Sequence, residues 1–208
     1  MLSTQLQTKV AIVGAGPVGL SLSILLSRFG VQNVIVEREK TFKRQEHPQA
    51  HFLNIRTMEI FRYSMGSSLF SDITAIAEPQ ESWRDFIYCS SVLGTEFARV
   101  NNLAGAVTPE KLREMSPVEP CHLAQSKLHP LLLERAKKYG AQLLMGCTVD
   151  HLEEHKDGVR LGLSSLDSTK GSSSSTGIID ADYVVACDGA SSATRALLGL
   201  PLRDVRPD

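Results

Sequence analysis

The chain has 208 residues, 42% hydrophobic and 22% charged, with a formal net charge of -1. That length can bury roughly 70% of the unfolded surface, and the near-neutral balance excludes a field large enough to gather nucleic acid or anionic lipid. Four cysteines without a CxxC pair, no run approaching ~20 apolar residues and no signal-peptide pattern before Val10 lead us to expect a cytoplasmic protein with no membrane span.

Residues 10–13 form the short apolar run of a buried parallel strand. They lead into the turn Gly14-Ala15-Gly16-Pro17-Val18-Gly19, a helix carrying Leu20, Leu22, Ile24, Leu25, Leu26 and Phe29, a stop at Gly30, and a second strand over 33–36 that ends in Glu37. This order is a dinucleotide-binding βαβ unit. Gly14 lets the backbone turn, Gly16 removes the side chain that would block a diphosphate, and Gly19 lets helix and sheet approach. Pro17 lacks an N–H, which is harmless in a first helical turn, so the remaining N–H groups stay aimed at phosphate. Glu37 lies about 20 residues beyond the glycines, where a carboxylate accepts both hydroxyls of an adenosine ribose and repels a 2′-phosphate. NADP is thereby disfavoured in this pocket, while FAD and NAD both stay open. The plain alternative for Glu37 is a solvated charge at a strand end.

Residues 38–49 are polar, with Lys40, Lys43, Arg44, Glu46, His47 and Pro48, and read as an exposed loop running back toward the nucleotide. Helical spacing returns over 52–65: Ile55, Met58, Ile60, Phe61 and Met65 share a buried stripe, Arg56, Glu59 and Arg62 face out, and Gly66 ends the helix. Residues 83–100 have β composition broken by Gly94, which predicts a hairpin or a sheet outside the first domain. Residues 101–120 read as a long surface connection. A second helix follows over 125–139, with Leu128, Leu131, Leu132, Leu133 and Ala136 at helical offsets and Gly140 as its cap.

Residues 142–149 then read as a strand, 151–157 as polar, 159–163 as alternating, and the serine-rich 172–176 as a flexible hairpin tip. Residues 178–186 resume strand composition and run into Cys187-Asp188-Gly189-Ala190-Ser191-Ser192 and a short helix bearing Arg195. A carboxylate aimed at a diphosphate is repelled unless it bonds to N–H groups or sugar hydroxyls, so Asp188 is expected to order its own loop. The bland reading is a tight turn with Ser191 or Ser192 capping the helix. His51 reads as structural. Cys147, His151 and His155 are spaced four apart, but the segment leaves a strand for a loop, so no metal geometry is expected.

Taken together, GAGPVGL at 14–20, Glu37-Arg38, Gln49-Ala50 with Arg56-Thr57-Met58-Glu59 behind it, and the run from Cys187 through Asp188-Gly189 to Arg195 resemble the FAD-dependent aromatic hydroxylases. The closest likeness is to the phenol and dichlorophenol monooxygenase branch, and it covers essentially the whole chain. The resemblance implies an α/β fold, an FAD-binding Rossmann-like βαβ domain with part of a β-rich substrate domain, truncated. Residues 1–75 and 121–200 would be two segments of the FAD-binding domain, 76–120 a β-rich excursion and connection, and 201–208 the start of the substrate domain.

By the same resemblance, Val13, Gly14, Ala15, Gly16, Pro17, Val18 and Gly19 hold the FAD diphosphate and Glu37 the ribose. Arg38 and the backbone of Val149 lie beside the adenine, and Gln49, Ala50 and Gln125 stand against the cofactor. Asp188 and Gly189 belong to a turn implicated in both FAD and nicotinamide-cofactor binding. Gln49 replaces an arginine found in many members, one fewer positive charge directed at phosphate. FAD is the implied cofactor, NADH or NADPH the co-substrate, and a phenol or other small aromatic molecule the substrate. No catalytic or metal residue is assigned, no nucleic-acid or membrane partner is expected, and homo-oligomer formation stays open.

Family members continue through the rest of the substrate sheet and a second Gly-Asp segment that contacts the riboflavin. The chain is therefore expected to be an amino-terminal fragment or shortened product with an uncovered apolar sheet face. Two readings follow: an NAD(P)H-dependent aromatic monooxygenase, or a non-catalytic FAD/ADP-binding module. A third, an NAD dehydrogenase, is disfavoured. The flavin readings require the two glycine-bearing bends to meet at one crevice.

Overall fold

The computed structural model of the chain describes residues 4–42, 50–101, 109–165 and 175–202. In chain order the elements are β1 (Thr4–Val13), α1 (Pro17–Arg28), β2 (Asn33–Glu37), β3 (Phe52–Leu53), α2 (Ile55–Glu59) continuing as a π-helical turn (Ile60–Ser64), and α3 (Ser67–Ile76). A 3-10 turn (Gln80–Ser82), β4 (Asp85–Cys89), β5 (Glu96–Asn101), α4 (Pro109–Met115), β6 (Cys121–His122) and α5 (Gln125–Lys138) come next. The chain closes with β7 (Gln142–Met145), β8 (Cys147–His155), β9 (Gly158–Ser165), β10 (Ser175–Ala186) and α6 (Ala193–Leu197). It divides into two compact units, 1–46 with 132–208, and 47–131. No helix among the described residues is long and apolar enough to cross a membrane.

The first unit is built on a six-stranded sheet in the order β7-β2-β1-β10-β9-β8. β7, β2, β1 and β10 run parallel, while β9 is reversed and pairs antiparallel with both β10 and β8. Successive side chains alternate faces. Ala11, Val13, Val34 and Val36 point to one face and pack with Val149, Leu161, Leu163, Ile179 and Ala181, so the β8–β9 end of the sheet folds back over β1 and β2. On the other face Val10, Ile12 and Ile35 are buried, as are Leu20 and Ile24 of α1. Each such side chain contributes about 1.5–3 kcal/mol on removal from water. Leu22, Leu25 and Leu26 of α1 are only half-buried, and Phe29 at its carboxyl cap is exposed.

A buried polar link fixes α1 to β2. The Ser23 hydroxyl donates to Asn33 Oδ1 (2.6 Å), and Asn33 Nδ2 donates to Ser27 Oγ (2.9 Å) and the Val31 carbonyl (3.1 Å). Farther along the same face, Tyr183 and Val185 stand in register with Val10 and Ile12. They are 69% and 37% exposed, so that stretch of the parallel sheet carries apolar side chains without a cover among the described residues.

The single strand expected over 142–149 is two strands. Gly146, at φ +72, breaks them, its N–H donating to the Glu39 carbonyl (3.2 Å) and its bare α-carbon leaving room for Lys40. β8 also continues to His155, so His151, Glu153 and His155 lie on a strand, on one face of it, and not in a loop. The serine-rich 172–176 falls mostly outside the described residues, as do most of the 38–49 loop and Gln49.

In the second unit Phe52 and Leu53 pair with β6 as a short strand, and so lie outside the helix expected to begin there. α2 starts one turn later, with Asn54 accepting the Thr57 N–H (2.9 Å) as its N-cap. Its continuation closes an i to i+5 bond, Met65 N–H to the Ile60 carbonyl (3.0 Å). That wider turn keeps Met58, Phe61 and Met65 buried and carries Ile60 outward, against the expected stripe. Arg62, expected to face out, is half-buried: it donates to the Pro117 carbonyl (2.8 Å) and lies over the rings of Tyr63 and Phe70.

Gly66, expected as a stop, precedes a further helix, α3, whose Leu69 and Ile73 are fully buried. The described part of the 101–120 connection, residues 109–120, is likewise more ordered than expected. It contains α4, and its end is packed, with Ser116 and Val118 buried and Ser116 Oγ donating to Glu59 Oε1 (2.9 Å). The predicted hairpin is present as β4 and β5, with Phe86 opposite Val100 and Tyr88 opposite Ala98 on one face, all four exposed.

Candidate functional site

The first unit places the two glycine-bearing bends back to back at the carboxyl ends of β1 and β10. β1 ends at Val13, whose carbonyl accepts the Cys187 N–H (2.7 Å), and the Gly14 N–H donates to the Val36 carbonyl (2.8 Å). Gly14 has φ +104, a conformation costly for any residue with a Cβ. A Cβ built on it would also stand 2.6 Å from the Cys187 carbonyl oxygen and 3.1 Å from the Asp188 α-carbon. Gly19 is packed as closely, since a side chain there would overlap the Gly14 carbonyl. Gly16 differs from both. It has ordinary backbone angles, caps α1, and faces open space with nothing within 4 Å of a Cβ position.

Helix geometry leaves the first amides of α1 without acceptors in the helix. Leu20 is the first residue to close the ladder, donating to Gly16 (3.0 Å), and Pro17 has no N–H to offer. The amides of Val18 and Gly19 therefore sit at the positive end of a 12-residue helix beside the open Gly16 space. Such a helix end attracts an anion.

Glu37 borders the turn. It is only 9% exposed, so it is not the solvated strand-end charge of the plain reading. Its Oε2 accepts the Ala15 N–H (2.7 Å) and its Oε1 the Glu39 N–H (2.9 Å). Each carboxylate oxygen keeps a further lone pair for a sugar hydroxyl. Arg38, next to it, is exposed and lies 3.7 Å from the Glu39 carboxylate.

In the second bend Asp188 Oδ2 accepts the Thr194 N–H (2.9 Å), and Ser192, not Ser191, caps α6 by accepting the Arg195 N–H (2.9 Å). Burial pushes the Asp188 carboxyl up, but hydrogen bonds from Ser192 and Thr194 outweigh it and hold the group below its usual value. Asp188 thus orders its loop. Gly189 takes φ +82 at the apex. The Cys187 thiol, by contrast, is pushed up by burial and by the Asp188 charge.

The remaining candidates lie on other elements. Val149 is buried on β8, in the same apolar cluster as Val13 and Val36, and pairs with Leu163. Ala50 and Gln125 belong to the second unit, where the Gln125 N–H donates to the Ala50 carbonyl (2.8 Å). Gln49 lies outside the described residues. His51 stands against His122 at 4.7 Å between ring centroids, and His122 stacks on Trp83 at 4.0 Å.

Three contacts escaped the sequence reading: the Cys187 carbonyl against Gly14, the Glu39 amide on Glu37, and the Thr194 amide on Asp188. All are backbone partners. Only the last has a sequence signal, an Asp-Gly turn a few residues before a serine-capped helix.

Comparison with known proteins identifies the family. Residues 7–207 match the family described as FAD binding domain. The 2,4-dichlorophenol 6-monooxygenase of Delftia acidovorans is 31% identical over 205 residues, covering 96% of this chain and 33% of that protein. The phenol 2-monooxygenase of Pseudomonas sp. (strain EST1001) is 30% identical over 196 residues, 93% of this chain and 30% of that one. A crystal structure of the flavin-dependent monooxygenase PieE in complex with FAD and substrate superposes with a TM-score of 0.82 at 31% identity, covering 95% of this chain and 33% of that one. The chain thus spans about a third of the length of the relatives it matches. It belongs to the FAD binding domain family, as a relative of the FAD-dependent aromatic hydroxylases.

Proposed function

We propose that this chain binds FAD through the Gly14–Gly19 turn, with Glu37 on the ribose and the Asp188-Gly189 bend beside it. It forms the cofactor-binding part of an NAD(P)H-dependent monooxygenase that hydroxylates a phenolic or other aromatic ring. The observation that carries the reading is the open space at Gly16, bounded by the free end of α1 and by a second bend packed directly on Gly14. FAD, when bound, supplies the redox chemistry by which a reduced nicotinamide cofactor and dioxygen hydroxylate a ring. The chain's own residues bind and orient. Amides of Val18 and Gly19 face the diphosphate, Glu37 accepts from the ribose, and Asp188 keeps the second bend in shape.

A second reading is a nucleotide-binding module without turnover of its own, because the residues placed at the site, the Val18 and Gly19 amides, Glu37 and Asp188, bind and orient. One experiment separates the two. The purified 208-residue chain is titrated with FAD, ADP and NAD by calorimetry, then assayed for NADH and NADPH oxidation with a panel of phenols. FAD or ADP binding with phenol-dependent oxidation supports the monooxygenase, and binding without oxidation supports the module. Binding of neither FAD nor ADP refutes both.

A further inference from the structure

We infer that Glu37 is the positioning residue of the glycine turn, setting its anion-binding shape before any nucleotide arrives, in addition to any contact it makes with ribose. The inference rests on the nucleotide-site reading above. Residues 14 and 15 are both tied to the end of β2, Gly14 by its N–H on the Val36 carbonyl (2.8 Å) and Ala15 by its N–H on Glu37 Oε2 (2.7 Å). The carboxylate is itself anchored, because its other oxygen accepts the Glu39 N–H (2.9 Å) and the group is nearly buried. Charge-assisted bonds of this length are among the stronger ones a backbone amide makes. They fix the plane of the Gly14–Ala15 peptide, and so the orientation from which the chain enters Gly16 and the first turn of α1.

The consequence differs in sign from that of charge alone. A carboxylate bonded inside the turn lies close to any diphosphate seated there and repels it, so its removal should tighten anion binding if charge were its only influence. If Glu37 sets the shape of the turn, its removal weakens anion binding even for a ligand that gives it nothing to accept.

The test compares the wild-type chain with Glu37→Leu, which removes both acceptors, and Glu37→Gln, which keeps one. The probes are ADP and 2′,3′-dideoxy-ADP, which lacks the ribose hydroxyls. Glu37→Leu is expected to weaken 2′,3′-dideoxy-ADP by at least about tenfold, with Glu37→Gln in between. Unchanged or tighter binding of the dideoxy compound by a folded Glu37→Leu chain overturns the inference. Hydrogen exchange of the ligand-free wild type supplies an arm that needs neither variant nor nucleotide. The Ala15 amide should be protected although it lies in a loop, and exchange at an open-loop rate overturns the inference equally. Failure of the wild type to bind ADP, with Ala15 protected, counts against the nucleotide reading and leaves the positioning role supported.

Discussion

The backbone of Cys187 lies on the bare α-carbon of Gly14, its carbonyl oxygen 2.6 Å from where a Cβ would stand. Gly14→Ala must therefore displace the second bend as well as strain a positive φ, and a loss of about 3 kcal/mol or more is expected, read as a fall in the urea midpoint. Gly16→Ala meets open space at ordinary angles. It should cost under about 1 kcal/mol in stability while weakening ADP binding, because the new methyl enters the space left for the ligand. A Gly16→Ala chain that binds ADP normally would contradict the assigned site.

The Ser23–Asn33 link is fully buried at Ser23. Asn33→Ala strands that hydroxyl and is expected to cost about 2–3 kcal/mol. Adding Ser23→Ala should recover part of the loss, since no orphaned hydroxyl then remains. Urea melts of the two single variants and the double variant measure the coupling.

Asp188 titrates below its unfolded value because the Ser192 and Thr194 bonds outweigh burial. A depressed carboxylate contributes stability above its unfolded value of about 3.9, and that contribution is lost as pH falls through the lower folded value. Asp188→Asn should lower Tm by about 2–4 °C at pH 7 and flatten the fall in Tm below pH 4. An unchanged acid profile would show that the loop does not depend on the charge.

His122 stacks on Trp83, the chain's one tryptophan, with 7° between ring planes. Burial, and then the neighbouring His51, hold its pKa below the usual value. Beside it the Glu78 carboxylate is paired with Lys127 (3.2 Å). The fold prefers the neutral ring, so this contribution to stability is complete above about pH 6.5 and declines as pH falls through the lower folded value. Trp83 fluorescence should drop with a midpoint below 6.5, His51→Ala should raise that midpoint, and His122→Phe should abolish the transition.

The βαβ unit was legible because each residue type there answers to one constraint: Gly14 to a positive φ, Pro17 to a first helical turn, the run 33–36 to a strand covered on both faces. The meander was less so. Gly146 splits an apolar stretch that reads as continuous, and the extension of β8 to His155 depends on its hairpin pairing with β9, where Leu152 stands opposite Leu161 and His155 opposite Gly158. In the second unit the period of a normal helix misplaced Ile60, because nothing local in the sequence announces a π-helical turn. Glu37 was placed correctly at its strand end, but its bonds to Ala15 and Glu39 go to backbone, and backbone amides leave no mark in a residue pattern.

β10 joins β1 along nearly its whole length, yet Lys9 and its partner Asp182 are 173 positions apart in the chain. A ribosome delivers the glycines of the first turn long before the strand that backs them, and closing so large a loop is slow. During synthesis, then, β1 and β2 must wait with one edge unpaired, exposed to chaperones or to a neighbouring nascent chain, until the second bend emerges.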